Sequence, residues 1–286
     1  MLIIDMSNVF FSSVHEYTSR TSEELDENTL RSMILRRLYA FKRNLRIGND
    51  RDIILAFDAR DGYWRKDYFP HYKAKRKVIR EESKVDWDTI FGYWNKIVEE
   101  FKENLPMISL SCPHAEADDI FATMCFRYSR VIDEIMIASS DEDTVQLQLL
   151  YNNVKQYSLK RKKLINVENV NYNLFEHIVK GDIGDGIPNI LSPENSLIDG
   201  IRQKSVRKTA MDEWRTKGGI RTPEKFCTDE MLARFKTNKL MVDFNEIPMD
   251  IINQIDEQYK NYKRPKGTLF AYLAKHQLTA IMDDIS

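Results

Sequence analysis

Nine acidic side chains stand where carboxylates can do chemistry together. Asp5 closes the apolar run LIID, Asp58 closes IILAFD, and Asp141 and Asp143 follow EIMIASS. A carboxylate at the end of a buried strand is costly to keep without a partner. Glu116, Asp118 and Asp119 fall in the opening turn of a predicted helix, with Glu116 and Asp119 at i and i+3 on one face. Asp182 and Asp185 repeat that spacing in GDIGD, where glycine lets the backbone come close. All-oxygen ligand sets of Asp and Glu suit hard cations such as Mg²⁺ or Mn²⁺. No Lys or Arg lies near enough in sequence to neutralise so many acids, and two ions suit the set better than one. Taken singly, acids in a first helical turn also serve as caps or dipole partners, and acids in a glycine-rich turn as turn residues.

The elements that must position these groups are legible as patterns. Leu2–Asp5, Asp52–Asp58, Met107–Ser111 and Glu134–Ser140 are short, apolar and rich in branched residues, as buried parallel strands are. A weaker strand is predicted at Val154–Leu159. Helical spacing lies between them at Glu23–Arg46, Asp86–Phe101 and Ala115–Tyr128. Strands alternating with helices predict an α/β fold with a mostly parallel central sheet. In open sheets of this kind the ligand site lies outside the carboxyl ends of the strands, where Asp5, Asp58, Asp141 and Asp143 fall. Beyond about Gly181 the pattern changes to a Gly-, Pro- and Asn-rich stretch and then to basic, helical segments, which predict a smaller helical C-terminal domain.

The chain has 286 residues, 43 Lys+Arg and 44 Asp+Glu, for a formal charge of −1. That near-zero total argues against a nucleic-acid binder only if the charges are evenly mixed, and they are not. Arg60–Lys84 holds nine basic residues against four acidic ones, interleaved with Tyr63, Trp64, Tyr68, Phe69 and Tyr72. The mixture suits phosphate contact with base or sugar stacking. Arg202–Lys225 holds eight basic residues against three acidic ones. Taking the nine candidate ligands out of the −1 total leaves +8.

Other classes drop out. No run of about 18 apolar residues is present, so no transmembrane helix is expected. The start MLIIDMSNVFF lacks the basic region of a signal peptide. The first strand is predicted to begin at residue 2, so no N-terminal tail for partner docking is expected. Cys112, Cys125 and Cys227 form no C-x-x-C pair, the five histidines show no zinc spacing, and no G-x-x-x-x-G-K-[ST] loop indicates ATP use. The expectation is a soluble, cytoplasmic protein of a reducing compartment.

The motifs LIIDMSNVFF, FDARDGYWRKDYFPHYKAKR, EADDI, SSDEDTVQL and GDIGDGIPN, in that order, resemble the 5′ nuclease family of flap endonucleases and polymerase-associated 5′→3′ exonucleases. Together with NKLMVDFNEIP, they look most like the family's branch of T-even-type bacteriophage ribonucleases H, whose host-cell location would be the bacterial cytoplasm. The resemblance covers nearly the whole chain. It implies a nuclease domain at 1–180 with a helical arch at about 60–100, and a DNA-binding domain at 181–286 with a helix-turn-helix-like element. It implies metal ligation by Asp5, Asp58, Glu116, Asp118, Asp119, Asp141, Asp143, Asp182 and Asp185, with Asp5, Asp58 and Asp141 also in the catalytic set. Lys73 and Arg76, in YKAKR, match arch bases that meet the scissile phosphate. Arg65, Lys66, Lys75, Arg80, Lys204, Arg207 and Lys208 complete the expected nucleic-acid contacts.

The implied activity is a two-Mg²⁺ 5′→3′ exonuclease and flap endonuclease, with Mn²⁺ as a substitute. It would act on duplex DNA and RNA–DNA hybrid to remove RNA primers from lagging-strand fragments. A monomer is expected, with a replication single-strand-binding protein and a sliding clamp as partners and no membrane. The family often holds a potassium ion at its glycine-rich IPGxxGIGxKTA hairpin; here IPNILSPENSLIDGIRQKSVRKTA stands in its place. SSDEDTVQL carries Glu142 and Thr144 where Lys and Phe are common. Two alternatives are a haloacid-dehalogenase-like phosphatase, which needs Asp where Ser7 stands, and a non-catalytic structure-specific DNA-binding protein.

Overall fold

The protein is described by a computed structural model covering residues 1–48, 51–169, 173–278 and 281–282. In chain order it opens with strand β1 (Leu2–Asp5), helices α1 (Met6–Arg20) and α2 (Glu27–Asn44), and strand β2 (Ile53–Ala56). Two short helices, α3 (Arg65–Tyr68) and α4 (Lys75–Glu81), precede α5 (Trp87–Asn104) and β3 (Ile108–Leu110). Then follow α6 (Ala117–Tyr128), β4 (Ile135–Ala138), α7 (Val145–Leu150), β5 (Val154–Ser158) and β6 (Lys163–Leu164). The remaining helices are α8 (Leu174–Lys180), α9 (Lys208–Lys217), α10 (Asp229–Val242), α11 (Met249–Lys260) and α12 (Leu269–Lys275). None of the described helices is long and apolar enough to cross a membrane.

The chain divides into two compact units. The first comprises residues 1–60, 86–170 and 250–286; the second comprises 61–85 and 171–249. Unit 1 contains the sheet, in the order β3-β2-β1-β4-β5-β6. The first five strands are parallel and β6 runs antiparallel to β5. This is the expected α/β sheet. From β1 the chain winds outward through β2 to β3, then crosses back to β4 on the other side of β1. The reversal makes the carboxyl ends of β1 and β4 a topological switch point. In register, Asp5 stands opposite Ala56, and Ile4 opposite Ala138. Asp5, Asp58 and the Ser139–Asp143 loop therefore share one sheet edge.

Helices cover this sheet because their apolar faces have nowhere else to go. Ile90, Ile97, Val98 and Phe101 of α5 are buried, each contributing about 1.5–3 kcal/mol. Trp94 stacks on Phe10 of α1 with centroids 4.7 Å apart and also meets Phe57. Helix α5 is thus a flanking helix of unit 1, so the insertion between β2 and α5 that groups with unit 2 is 61–85 rather than about 60–100. Residues 250–286 also return to unit 1, in place of a single linear boundary near 180. The return is held by polar contacts that no periodicity announces. Gln258 exchanges hydrogen bonds with the backbone N–H and C=O of Ser111, both at 3.1 Å, and Tyr128 Oη donates to Asp256 at 2.6 Å.

Unit 2 has its own core, built around Phe69, Tyr72, Phe175, Ile178, Phe235 and Met241. Buried Asn238 donates to the carbonyls of Ile178 and Pro188, each at 2.9 Å, which ties α10 to α8 and to the turn after it. Gly181 closes α8 at φ +69°, and a Cβ there would lie 2.3 Å from the Ile187 carbonyl oxygen, so this turn requires glycine. Residues 181–207 contain no helix. This stretch, where the helix-turn-helix-like element was expected, is a long turn-rich connection leading into α9.

Candidate metal and nucleic-acid site

The carboxylates of unit 1 are held by backbone and hydroxyl donors. Asp5 ends β1 and caps α1 in the same step: its Oδ1 accepts from Asn8 N at 2.8 Å, and its Oδ2 from Ser139 Oγ at 2.8 Å. Asp58 accepts from Ser7 Oγ at 2.6 Å and from Ala117 N, in the first turn of α6, at 2.8 Å. Asp141 Oδ1 accepts from Asp143 N at 2.9 Å, while Asp141 N donates to Ser139 Oγ at 3.2 Å. Gln156 of β5 donates to the carbonyls of Ser139 and Asp141, at 3.1 and 2.7 Å, and so fixes the loop from its other side. Glu116 and Asp119 are both buried, and Asp119 Oδ2 accepts from Glu116 N at 2.8 Å. Asp119 thus does perform the capping role open to it from its spacing.

Asp5 is where the crowding of negative charge shows. It is 8 % exposed. Burial first, then the neighbouring charge of Asp58 and that of Asp141, raise its pKa to about 7 against the hydrogen bonds from Asn8 and Ser139. A buried acid pushed up by other acids is the condition that a divalent cation relieves. Every donor in the set is oxygen, the chemistry that Mg²⁺ and Mn²⁺ select. Asp5, Asp58, Glu116 and Asp141 offer the donor chemistry that a hard divalent cation takes.

Asp182 and Asp185 fold within unit 2. Asp182 Oδ1 accepts from Asp185 N at 3.1 Å, and its backbone pairs with Ile187. Asp185 meets the insertion. Its carbonyl oxygen accepts from Lys73 N at 2.7 Å, and its carboxylate accepts from Tyr72 Oη at 3.0 Å and from the Arg76 guanidinium. Lys73 Nζ stands 3.6 Å from the same carboxylate. Burial opposes ionisation of Asp185, but Lys73 and Arg76, with the Tyr72 and Arg76 hydrogen bonds, outweigh it and hold the group below the usual carboxylate range. Asp185, expected as a metal ligand, is here the counter-ion of the two expected phosphate contacts.

The expected nucleic-acid contacts divide. Lys66 is exposed with its Nζ 5.6 Å from the Tyr63 ring centre, Lys73 lies over both Tyr63 and Tyr72, and Lys75 and Arg80 are half-buried. Lys204, Arg207 and Lys208 are exposed ahead of and at the start of α9. Arg65 is a correction: it is only 3 % exposed, stacks on Trp64 and donates to the Met241 carbonyl at 3.0 Å. Its charge serves the C-terminal end of α10, where carbonyls concentrate negative potential.

The segment that stands in place of the family's potassium-binding hairpin is closed by its own groups. Asn189 Nδ2 donates to the Lys204 carbonyl at 2.8 Å, Lys204 N donates to Ser192 Oγ at 2.9 Å, and Ser192 Oγ donates to Asn189 Oδ1 at 3.0 Å. The Asn189, Pro193, Asn195 and Ser196 carbonyls accept backbone N–H groups.

Ser7, Ser139 and Gln156 were not singled out by the sequence. The signal for two of them was present: Ser7 follows Asp5 by two residues, and Ser139 precedes Asp141 by two. Ser7 also occupies the position where a haloacid-dehalogenase-like phosphatase needs a second Asp, and it is committed to Asp58 instead.

Comparison with known proteins divides the chain linearly, where the compact units are interleaved. Residues 1–174 match the family described as 5′-3′ exonuclease, N-terminal resolvase-like domain, and residues 168–286 match T4 RNase H, C terminal. The Ribonuclease H of Enterobacteria phage T4 is 28% identical over 291 residues, spanning 99% of this chain and 94% of its own. A flap endonuclease Xni of Shewanella sp. (strain MR-4) is 27% identical over 173 residues, 58% of this chain and 62% of that protein. Among solved structures, a flap endonuclease of bacteriophage T5 in a pseudo-enzyme-product complex with DNA and metal ions superposes with a TM-score of 0.68. It is 16% identical, and the match covers 91% of this chain and 96% of the other.

Proposed function

The chain belongs to the 5′–3′ exonuclease family, and from that premise we propose a Mg²⁺-dependent 5′→3′ exonuclease and flap endonuclease acting on duplex DNA and RNA–DNA hybrid. The observation that carries the reading is the convergence of Asp58 and Asp141 on Asp5 at the switch point of the sheet. Asp5, Asp58, Glu116 and Asp141 are the proposed ligands, with Asp118 and Asp143 beside them. Two divalent ions, Mg²⁺ or Mn²⁺, would supply an activated water and charge stabilisation at the attacking and leaving oxygens. Ser7 and Ser139 orient the carboxylates through their hydroxyls, as outer-shell partners do in metal sites generally. Lys73 and Arg76 are the cationic groups proposed to meet the phosphate. The products are a 5′-phosphate and a 3′-hydroxyl.

The relatives' names support the substrate class: a ribonuclease H in phage T4 and flap endonucleases in Shewanella and phage T5. Removal of RNA primers from lagging-strand fragments is the proposed role. A monomer working with a single-strand-binding protein and a sliding clamp is the proposed setting. The test is cleavage of a 5′-flap DNA with Mg²⁺ and with EDTA. Cleavage that requires Mg²⁺ supports the reading; binding without cleavage under every metal condition makes the chain a non-catalytic DNA-binding protein.

A further inference from the structure

A third basic segment, outside the two already described, lies at the tip of the β5–β6 hairpin: Lys160, Arg161, Lys162 and Lys163 in the run LKRKKL. All four are exposed. Among the described residues no carboxylate pairs with Lys160, Lys162 or Lys163. Arg161 reaches only the exposed Glu142, at 3.5 Å, a contact worth little in water. Four adjacent like charges in a tight turn repel one another, and Lys162 sits at φ +51°, a region that non-glycine residues seldom adopt.

The tip is not a loose loop. Lys160 N donates to Ser140 Oγ at 2.8 Å, Arg161 N donates to Ser158 Oγ at 3.1 Å, and buried Leu159 anchors the turn. Ser158 pairs with Lys163 across the hairpin. Ser140 is the residue before Asp141, and the same loop carries Ser139, which bonds Asp5. The hairpin is therefore fastened directly to the loop that carries the carboxylates, at the carboxyl end of β5 and on their edge of the sheet.

We propose that Lys160–Lys163 is a phosphate-contacting element that holds the nucleic-acid backbone beside the carboxylate loop. The proposal rests on the nuclease reading above, since it names a further part of the same substrate site. A cluster of acids repels a polyanion at the point where it must approach. Cationic side chains fixed within one loop of that cluster offset the repulsion without neutralising the ligands, because Lys160 and Arg161 are tethered through their backbone N–H groups and keep their side chains outward. The competing reading is that lysines on an edge strand only discourage edge-to-edge pairing.

The experiment measures 5′-flap DNA binding in EDTA between 50 and 200 mM KCl, for the wild type and a variant with all four residues changed to Gln. A second variant with Lys160→Arg, Arg161→Lys, Lys162→Arg and Lys163→Arg keeps the charge. Removing one phosphate-binding cation lowers the slope of log K against log salt by about 0.9, so the Gln variant, which removes four, is expected to lose up to about 3.6 from the slope and to bind about tenfold or more weakly. The charge-keeping variant is expected to match wild type, and with Mg²⁺ the Gln variant is expected to raise KM with kcat retained. A Gln variant with wild-type slope and affinity overturns the proposal, as does a charge-keeping variant that loses as much slope as the Gln one. Because binding is read without metal, a wild type that binds DNA but never cleaves it counts against the nuclease reading and leaves the slope comparison to decide the hairpin.

Discussion

Ser7 Oγ donates to Asp58 Oδ2 at 2.6 Å, so the start of α1 holds the carboxylate that ends the β2 segment. The bond crosses from one strand terminus to the next and keeps one Asp58 oxygen engaged, while Ala117 N holds the other. Ser7→Ala removes only a hydroxyl. Outer-shell partners of this kind are worth about 10–100-fold in metal affinity or activity. The expected outcome is a drop of that size in apparent Mg²⁺ affinity with an unchanged melting curve in EDTA. A Mg²⁺ titration of wild-type cleavage rates and of the Ser7→Ala rates checks it.

Asp5 sets a pH dependence. Its folded pKa of about 7 lies above its ordinary 3.8, so between these values the folded chain holds a proton that the unfolded chain has released. Metal-free stability is therefore full below pH 4 as far as this group is concerned and is lost as pH rises towards 7, by about 4 kcal/mol in all. Mg²⁺ competes with that proton, so its stabilising effect grows over the same window. Thermal melts at pH 5 and pH 8, with and without Mg²⁺, are expected to show the larger Mg²⁺ effect at pH 8, and Asp5→Asn is expected to remove most of the difference.

Asp185→Asn separates two roles. If the carboxylate serves Lys73 and Arg76, as its contacts show, the variant loses stability without any metal, by about 1–3 kcal/mol. Urea unfolding in EDTA measures this directly. An unchanged midpoint would mean that the group contributes only when metal is bound.

Arg31 is buried and holds Glu27, Glu100 and Tyr272 together, with Glu100 at 2.9 Å and Tyr272 Oη at 3.0 Å. It ties α12 to α2 and α5. Removing one member leaves buried charge uncompensated, which costs about 3–5 kcal/mol. Arg31→Ala is expected to lower the denaturant midpoint accordingly and to expose the region after α11 to protease first.

Much of this was legible in the residues. Buried parallel strands are near-continuous apolar runs, so LIID and EIMIASS announced β1 and β4 and placed Asp5 and Asp141 at their ends. Helix α1 was hidden because MSNVFFSS is rich in Ser and branched or aromatic residues, and because its cap is Asp5 itself, already spoken for as a strand end. Arg65 looked like its basic neighbours; only the packing of α3 on α10 turned it inward. The return of 250–286 to unit 1 depends on Gln258, Tyr259 and Arg264, whose partners lie more than 140 residues away and leave no local pattern. Lys160–Lys163 was visible as a run of charge, but its bearing on the site came from one backbone bond to Ser140.

The most direct test of the carboxylate site is Asp141→Asn, read by two assays on the same 5′-flap DNA. Asp141 is exposed at the sheet edge, so the change spares the core. The prediction is Mg²⁺-dependent cleavage reduced by about a thousandfold or more, with a dissociation constant within a few-fold of wild type. Cleavage at the wild-type rate would contradict the account.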